Sequence, residues 1–342
     1  MKVGLVANPV SARDIRRVIA NAACMPIADR ANIVLRVMAA LRACGVPRVL
    51  MMPENGGIRR HLTRSLKHEN KLGHVDFPSL HYTDTSVTGA VEDTFAATQA
   101  MVQEGVKAII VLGGDGTHRA VAKHCRQIAI AGISTGTNNA FPEQRESTIT
   151  GLAVGLAVTG KIPSEIAVFP NKMLKVEKNE GEISDIAIVD VAVTTERYIG
   201  ARALWRSDNF RELFVTYADP EVIGLSAIAG LLKPVGRHEP FGLHVRMQSS
   251  DTAKTIIRVP IAPGLIRPVG VLDFEDFPVQ EPIYLSPESG MIALDGEREI
   301  DYGPEDQVKV TLVQNAFNTI DVSACMRYAG EKRLFRADLP LI

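Results

Sequence analysis

The chain has 342 residues, 46% of them hydrophobic, and its 38 basic and 39 acidic side chains leave a net charge of -1. That length suits about two domains of roughly 150 residues, each with its own core. Charges so nearly balanced give no electrostatic footprint for nucleic acid or an anionic membrane, so the expected partner is a small molecule.

The first 160 residues alternate strand-like and helix-like patterns, which predicts a mostly parallel, doubly wound sheet covered by helices. Residues 2–7 (KVGLVA) read as a buried strand, too short an apolar run before Asn8 and Pro9 for a signal sequence. A helix follows over 32–44, with Val34, Val37, Met38 and Leu41 on one face, Asp29 as its cap, and Gly45 and Pro47 ending it. Residues 48–52 form the next strand, 90–104 a helix stopped by Gly105, 106–112 a strand, 117–125 a helix and 128–134 a strand. The run between Glu146 and Lys161 is a Gly/Ala-rich helix of 14 residues, short of the roughly 20 that span a membrane. It is apolar on nearly all faces, which predicts buried packing, with a lipid-acyl groove as the alternative. Beyond Lys161 β-branched runs at short spacing predict an antiparallel, β-rich second domain. The strand runs are 165–169, 172–179, 183–195, 241–248, 254–262, 291–294 and 307–313. A helix near DNFRELFVTYA (208–218) and the apolar VIGLSAIAGLLKP interrupt them, and the tail is helical in part. The expected division is 1–162 and 163–321, with 322–342 packing back on the first domain.

Cys24, Cys44, Cys125 and Cys325 form no CxxC pair and no Cys/His cluster at zinc spacing, so they are expected to be reduced, packed thiols in a cytoplasmic protein.

The residues with the most chemistry lie in VLGGDGTHRA, 111–120. Right-handed crossover makes the strands on either side of this unit parallel, so Gly113 and Gly136 follow strand ends at one sheet edge, where open α/β folds bind ligands. Glycines there are free to take positive φ and bring backbone N–H groups to an anion, and Thr117 is placed to cap a helix whose N-terminus attracts phosphate. Asp115 is the odd member: among phosphate-binding amides it repels the ligand unless it holds Mg²⁺ or takes a proton from an attacking hydroxyl. The plainer alternative is a strand-to-helix turn with Asp115 as cap. Neither GxxxxGK[ST] nor a GxGxxG after the first strand is present.

Taken together and in order, LVANPVS after the first strand, IIVLGGDGT, the GTNNAF loop one strand later and the late ALDGE resemble the NAD kinase and diacylglycerol kinase superfamily. Within it the chain most resembles the acetoin catabolism protein X group. Supporting stretches are NPVSARDIRR, EDTFAATQAMVQEGVKAIIVLGGDGTHRAVA, IVDVAV and YIGARALW. This resemblance covers nearly the whole chain and implies an NAD kinase/diacylglycerol kinase-like α/β fold, ATP and Mg²⁺ as cofactors, and phosphoryl transfer to a hydroxyl of a small molecule, first of all NAD. The alternatives are a lipid kinase and a non-catalytic ATP- or NAD-binding regulator; a homo-oligomer is expected.

By the same resemblance Asp115 is the catalytic and metal-side carboxylate, and Asn8, Gly113, Gly114, Gly116, Thr117, Gly136, Thr137, Asn138 and Asn139 bind nucleotide or phosphate. Asp295 and Glu297 approach the cleft from the second domain, although Asp295-Gly296 is equally a two-residue hairpin turn. Ala140 stands where lipid kinases carry an acidic residue. The Asn-Glu pair with which NAD kinases hold the nicotinamide nucleotide has no unambiguous match, Asp185 and Asp190 being the nearest acids. His118 and His124 lack a second ligand at metal spacing. Arg119 and the Arg13, Arg16 and Arg17 group are either phosphate clamps or solvated charges, and Trp205 is a packing residue before it is a base-stacking one.

Overall fold

The structure, a computed structural model, describes every residue except 10–24, 74–75, 137–138, 196–208, 287 and 337–342. Cys24, Arg13, Arg16, Arg17, Thr137, Asn138 and Trp205 therefore lie outside the described residues. In chain order come β1 (Lys2–Ala7), α1 (Ile27–Ala43), β2 (Arg48–Met51), α2 (Ile58–Leu72), β3 (Ser79–Tyr82), α3 (Val91–Gln103), β4 (Ala108–Gly113), α4 (Asp115–Ala122), β5 (Ala129–Ser134) and α5 (Ser147–Val158). Strands β1 to β5 pair in parallel in the order β3-β2-β1-β4-β5.

Period-two alternation puts helices on both faces of this sheet. Val3, Leu5, Ala108, Ile110 and Leu112 face one core with α1, α5 and α2, whereas Val6, Ile109 and Val111 face another with Ala97, Met101 and Val121 of α3 and α4. The predicted face of α1, Val34, Val37, Met38 and Leu41, is fully buried. The helix starts earlier than its apolar period suggests, at Ile27 after Pro26, so Asp29 sits in the first turn instead of capping it. Helix α5 lies so close to α1 that a Cβ on Gly151 would stand 2.9 Å from the Val37 carbonyl oxygen and one on Gly155 would stand 2.6 Å from Cys44 Cβ. The Gly/Ala run is thus a helix-packing surface, and the acyl-groove alternative loses its ground. α2 and β3 go beyond the sequence reading: α2 has only Ile58, Leu62 and Leu66 as an apolar stripe among charges, and β3 is four residues without a buried run.

The second half contributes α6 (Ser164–Ala167), β6 (Val168–Lys178), β7 (Ile183–Ala187), β8 (Asp190–Thr194), β9 (Phe210–Val215), α7 (Ser226–Leu232), β10 (Phe241–Gln248), β11 (Thr255–Ala262), β12 (Leu265–Pro278), β13 (Ile283–Tyr284), β14 (Gly290–Leu294), β15 (Glu297–Tyr302), β16 (Val308–Ile320) and α8 (Val322–Glu331). The first sheet continues through these strands as β5-β16-β6-β7, parallel at β5–β16 and antiparallel beyond, so it takes strands from both sides of residue 162. The second sheet, β11-β12-β10-β9-β8-β14-β15, is antiparallel throughout.

Residues 210–215, inside the stretch expected to be helical, form β9. Its 3.6-period reading fails because Phe210, Leu213, Phe214 and Val215 are buried between β8 and β10, Phe214 facing one core and Leu213 and Val215 the other. Residues 165–167, read as strand, belong to α6. Val322, Cys325 and Ala329 of α8 join the α1 and α5 core. Cys44, Cys125 and Cys325 are buried free thiols.

Candidate functional site

The ends of β1, β4 and β5 open at one rim, with Gly113 directly beside Ser134 in the register. Asn8 follows β1, its N–H donating to the Leu112 carbonyl (3.4 Å) and its own carbonyl accepting from the buried Arg30 guanidinium (2.7 Å). Two loops that the sequence keeps apart, GGDGT and GTNNAF, therefore meet, together with Asn8.

Asp115 begins α4 and does not cap it; the N-cap is Gly114. The Asp115 carboxylate instead reaches across to the loop after β5, where Oδ2 accepts the Ala140 N–H and Oδ1 the Phe141 N–H, each at 2.9 Å. The carbonyls of the same two residues are held from the second half of the chain. Tyr217 donates its hydroxyl to the Ala140 carbonyl (2.8 Å), and Arg237 donates to the Phe141 carbonyl (2.8 Å) and the Ala140 carbonyl (3.3 Å) while its guanidinium lies over both aromatic rings. At the Ala140–Phe141 peptide, whose N–H meets the Asp115 carboxylate and whose carbonyl meets Arg237, the two charges align with the peptide dipole. Tyr217 and Arg237 carry no motif, and nothing in the linear sequence marks them.

The glycines act by close approach. Gly113, Gly114, Gly116 and Gly136 do not appear among the positive-φ residues, so the positive-φ expectation is corrected. A Cβ on Gly113 would meet Thr117 Cβ at 2.5 Å, and Cβ atoms on Gly114 and Gly136 would meet the Asn139 carboxamide at 2.8 and 2.7 Å. Asn139, whose Nδ2 donates to Ser134 Oγ (2.9 Å), is the wedge between the two loops. Thr117 packs against Gly113 where a helix cap was expected, because Gly114 already occupies the cap position. The space beside Gly116 is wider, bounded by Glu297 Oε1 at 3.8 Å.

His118 is buried under this loop. Its Nδ1–H donates to the Gly114 carbonyl (2.9 Å), and Nε2 has no partner among the described residues. Burial pushes it down to about 4, so the ring is neutral near pH 7. His124 bonds Gln99 and packs on Phe95.

From the second sheet, Asp295 and Gly296 form the β14–β15 turn with φ of 51° and 81°, both residues in the left-handed region that two-residue hairpins use. Asp295 does more than turn the chain. Its carboxylate accepts the N–H groups of Ile188 (3.1 Å), Val189 (2.8 Å) and Asp190 (3.2 Å), the residues at which the backbone crosses from β7 in the first sheet to β8 in the second, and lies 3.9 Å from Arg119 Nε. Arg119 is thus committed to Asp295, a partner the phosphate-clamp reading did not include. Asp185 is ion-paired to Lys123, and Asp190 is buried at the crossing.

Burial pushes the Asp295 carboxyl up to about 7, with Arg119 opposing and the like charge of Asp115 reinforcing. An acid raised on folding contributes stability that is full below its ordinary value of 3.8 and is lost as pH climbs through about 7. His118 runs the other way, losing stability as pH falls from 6.5 toward about 4. The difference in unfolding midpoint between wild type and Asp295→Asn isolates the carboxyl. Wild type is expected to hold its largest advantage at about pH 4 and below and to lose it as pH climbs to about 7, and a pH-independent difference would show that Asp295 does not titrate in that window.

Among the described residues no group of three or more His, Cys, Asp or Glu converges on a metal position. A nucleotide-borne Mg²⁺ asks for less, one or two carboxylates with phosphate and water completing its shell. Asp115, whose oxygens each accept an amide N–H, and Glu297, beside Gly116, are carboxylates of that kind.

Residues 3–160 match the family model of the ATP-NAD kinase N-terminal domain, and residues 172–315 match that of the acetoin catabolism protein X C-terminal domain. Acetoin catabolism protein X of Cupriavidus necator is 51% identical over 342 residues, covering 98% of this chain and 94% of that protein. Among solved structures, yeast NADH kinase complexed with NADH superposes with a TM-score of 0.52 at 11% identity, covering 100% of this chain and 90% of that one. That last likeness is one of fold.

Proposed function

The chain belongs to the acetoin catabolism protein X family and has an NAD kinase-like fold, and from that premise we propose that it transfers a phosphoryl group from ATP, with Mg²⁺, to a hydroxyl of a small molecule, NAD being the first-choice acceptor. The observation that carries this reading is the Asp115 carboxylate, fixed at the start of α4 and at the end of β4, with Glu297 entering beside Gly116 from the second sheet. Asp115 would orient the acceptor hydroxyl or the metal side of the phosphates, and α4 would turn its N-terminal dipole toward their negative charge. Bound Mg²⁺ would neutralise charge on the phosphate oxygens. Asn139, wedged between the loops, keeps both at a fixed separation, which preorganises the amides near the rim.

One observation favours a second reading. Both Asp115 oxygens are engaged by Ala140 and Phe141, as a purely structural latch would have them. The protein would then bind ATP or NAD without turnover, as a regulator within acetoin metabolism, the process named for its Cupriavidus necator relative.

Incubating purified protein with ATP, Mg²⁺ and either NAD or NADH, and assaying NADP(H), separates the two. Product that accumulates in proportion to enzyme is the expected result. Saturable nucleotide binding in a thermal-shift titration with no product from either acceptor would favour the regulator, and phosphorylation of diacylglycerol in mixed micelles would reassign the acceptor to lipid.

A further inference from the structure

His118 is a buried polar side chain to which the proposed reaction gives no part. It lies one turn after Gly114, 0% exposed, and the Gly114 carbonyl collects three donors from that turn. Two are the backbone N–H groups of Thr117 and His118, each at 3.1 Å, and the third is the ring Nδ1–H at 2.9 Å. A carbonyl oxygen has two lone pairs, so the imidazole adds a hold beyond what a first helical turn supplies by itself. The fold makes room for the ring at a cost. Gly132 stands within β5, paired with Val111 of β4, where a glycine has no side chain to pack and weakens the strand. A Cβ there would stand 2.8 Å from His118 Nε2 and 3.2 Å from Pro142 Cβ. The imidazole thus fills the space that a side chain of β5 would take, with the Phe141 ring 5.7 Å away between centroids. Nε2 has no hydrogen-bond partner among the described residues, which leaves Nδ1 to make the bond that burial of the ring requires.

We infer that His118 is a positioning residue of the Asp115 site: by drawing the Gly114 carbonyl into the protein, it turns the N–H on the far side of the same trans peptide, that of Asp115, outward to the rim. The inference rests on the kinase reading, in which the phosphates would lie at that rim. The Gly114–Asp115 peptide carries the first amide of α4, the one nearest an anion at the helix N-terminus. Gly114 has no Cβ to restrict its own backbone, so the peptide needs a hold from elsewhere. Rotation of that peptide would carry the Asp115 carboxylate with it and disturb both of its bonds to the loop after β5. His118 itself touches neither phosphate nor acceptor and acts through the peptide.

Two amide variants separate this role from plain packing. Counted in bonds from Cα, the nitrogen of His118→Asn falls where Nδ1 stands and that of His118→Gln where Nε2 stands. Backbone hydrogen exchange of the full chain, read by mass spectrometry on a peptide covering 113–119, compares them with wild type and His118→Leu. His118→Asn should keep this turn protected, whereas His118→Gln and His118→Leu should exchange about tenfold faster there, the scale of one lost hydrogen bond. Unchanged exchange in α5 shows that a variant is folded, and the Asn and Gln pair carries the test if His118→Leu is not. In the kinase assay, kcat should fall by about tenfold or more in His118→Gln and His118→Leu with the KM for the acceptor near wild type, and His118→Asn should recover most of the loss. Equal exchange in the Asn and Gln variants, a Leu variant as protected as wild type, or turnover that follows thermal stability across all three would overturn the role and leave His118 a packing residue. Absence of product from wild type would overturn the kinase reading instead, and the exchange comparison would still decide whether His118 holds the peptide.

Discussion

Asp115→Asn is expected to lower the rate of ATP-dependent phosphorylation by about a thousandfold, the scale at which a positioned carboxylate or a charge-stabilising group acts in phosphoryl transfer. The same substitution should cost about 1–3 kcal/mol of stability. The reason is on the other side of the carboxylate: Oδ1 and Oδ2 each accept a backbone N–H, from Phe141 and Ala140, and the carboxamide has only one acceptor to offer. Its NH₂ group would face an N–H, donor against donor. Turnover and thermal unfolding must therefore be measured on the same preparation. A variant that keeps wild-type turnover while unfolding several degrees lower would show that Asp115 is the latch between two loops and not the reacting group. Loss of turnover with a small drop in midpoint is the outcome the proposed function requires.

Arg237→Met should destabilise the protein by about 2–4 kcal/mol, since it removes charged hydrogen bonds to a half-buried backbone and a cation from over two rings. The contacts at stake are those to the Phe141 carbonyl (2.8 Å), the Ala140 carbonyl (3.3 Å) and the Tyr217 hydroxyl (3.2 Å), with Tyr217 and Phe141 at 4.4 and 4.9 Å from the guanidinium carbon. Methionine keeps much of the volume, so the loss reports charge and hydrogen bonding more than a cavity. Tyr217→Phe removes the other donor to Ala140, and because both act on one peptide the pair should be non-additive in urea unfolding by about 0.5–3 kcal/mol. Strict additivity would mean that the two residues stabilise separate parts of the molecule. Turnover should fall in Arg237→Met as well, through the peptides that orient Asp115, although Arg237 itself stays a positioning residue.

Much of the architecture could be read from local pattern. KVGLVA, VKAIIVL and IAIAGIS are short apolar runs bounded by breakers, and each forms a parallel strand within a residue or two of its expected limits. Helix α1 buries the four residues its period marks. The failures are equally local in origin. DNFRELFVTYA has spacing compatible with either period, and what made it β9 was hydrogen bonding to β8 and β10, strands from elsewhere in the chain. The basic residues of α2 form no recognisable motif, and only the helix brings Arg60, Arg64 and Lys67 to the wall of one hollow.

For the site the division follows the same physics. A glycine, an aspartate or a two-residue turn is specified by its own backbone needs, so the linear chain could mark Gly113, Asp115 and Asp295-Gly296 and place the first two at a strand end. It could not say what those groups touch. That Asp115 spans to residues 140 and 141, that Asn139 fills the space beside Gly114, and that Asp295 braces the crossing at 188–190 are contacts across 25 to 107 positions. Residue type and spacing determined which backbone could bend and where charge stood; only the packing of two sheets decided which donors each carboxylate would meet, because a hydrogen bond depends on separation in space and carries no signature along the chain.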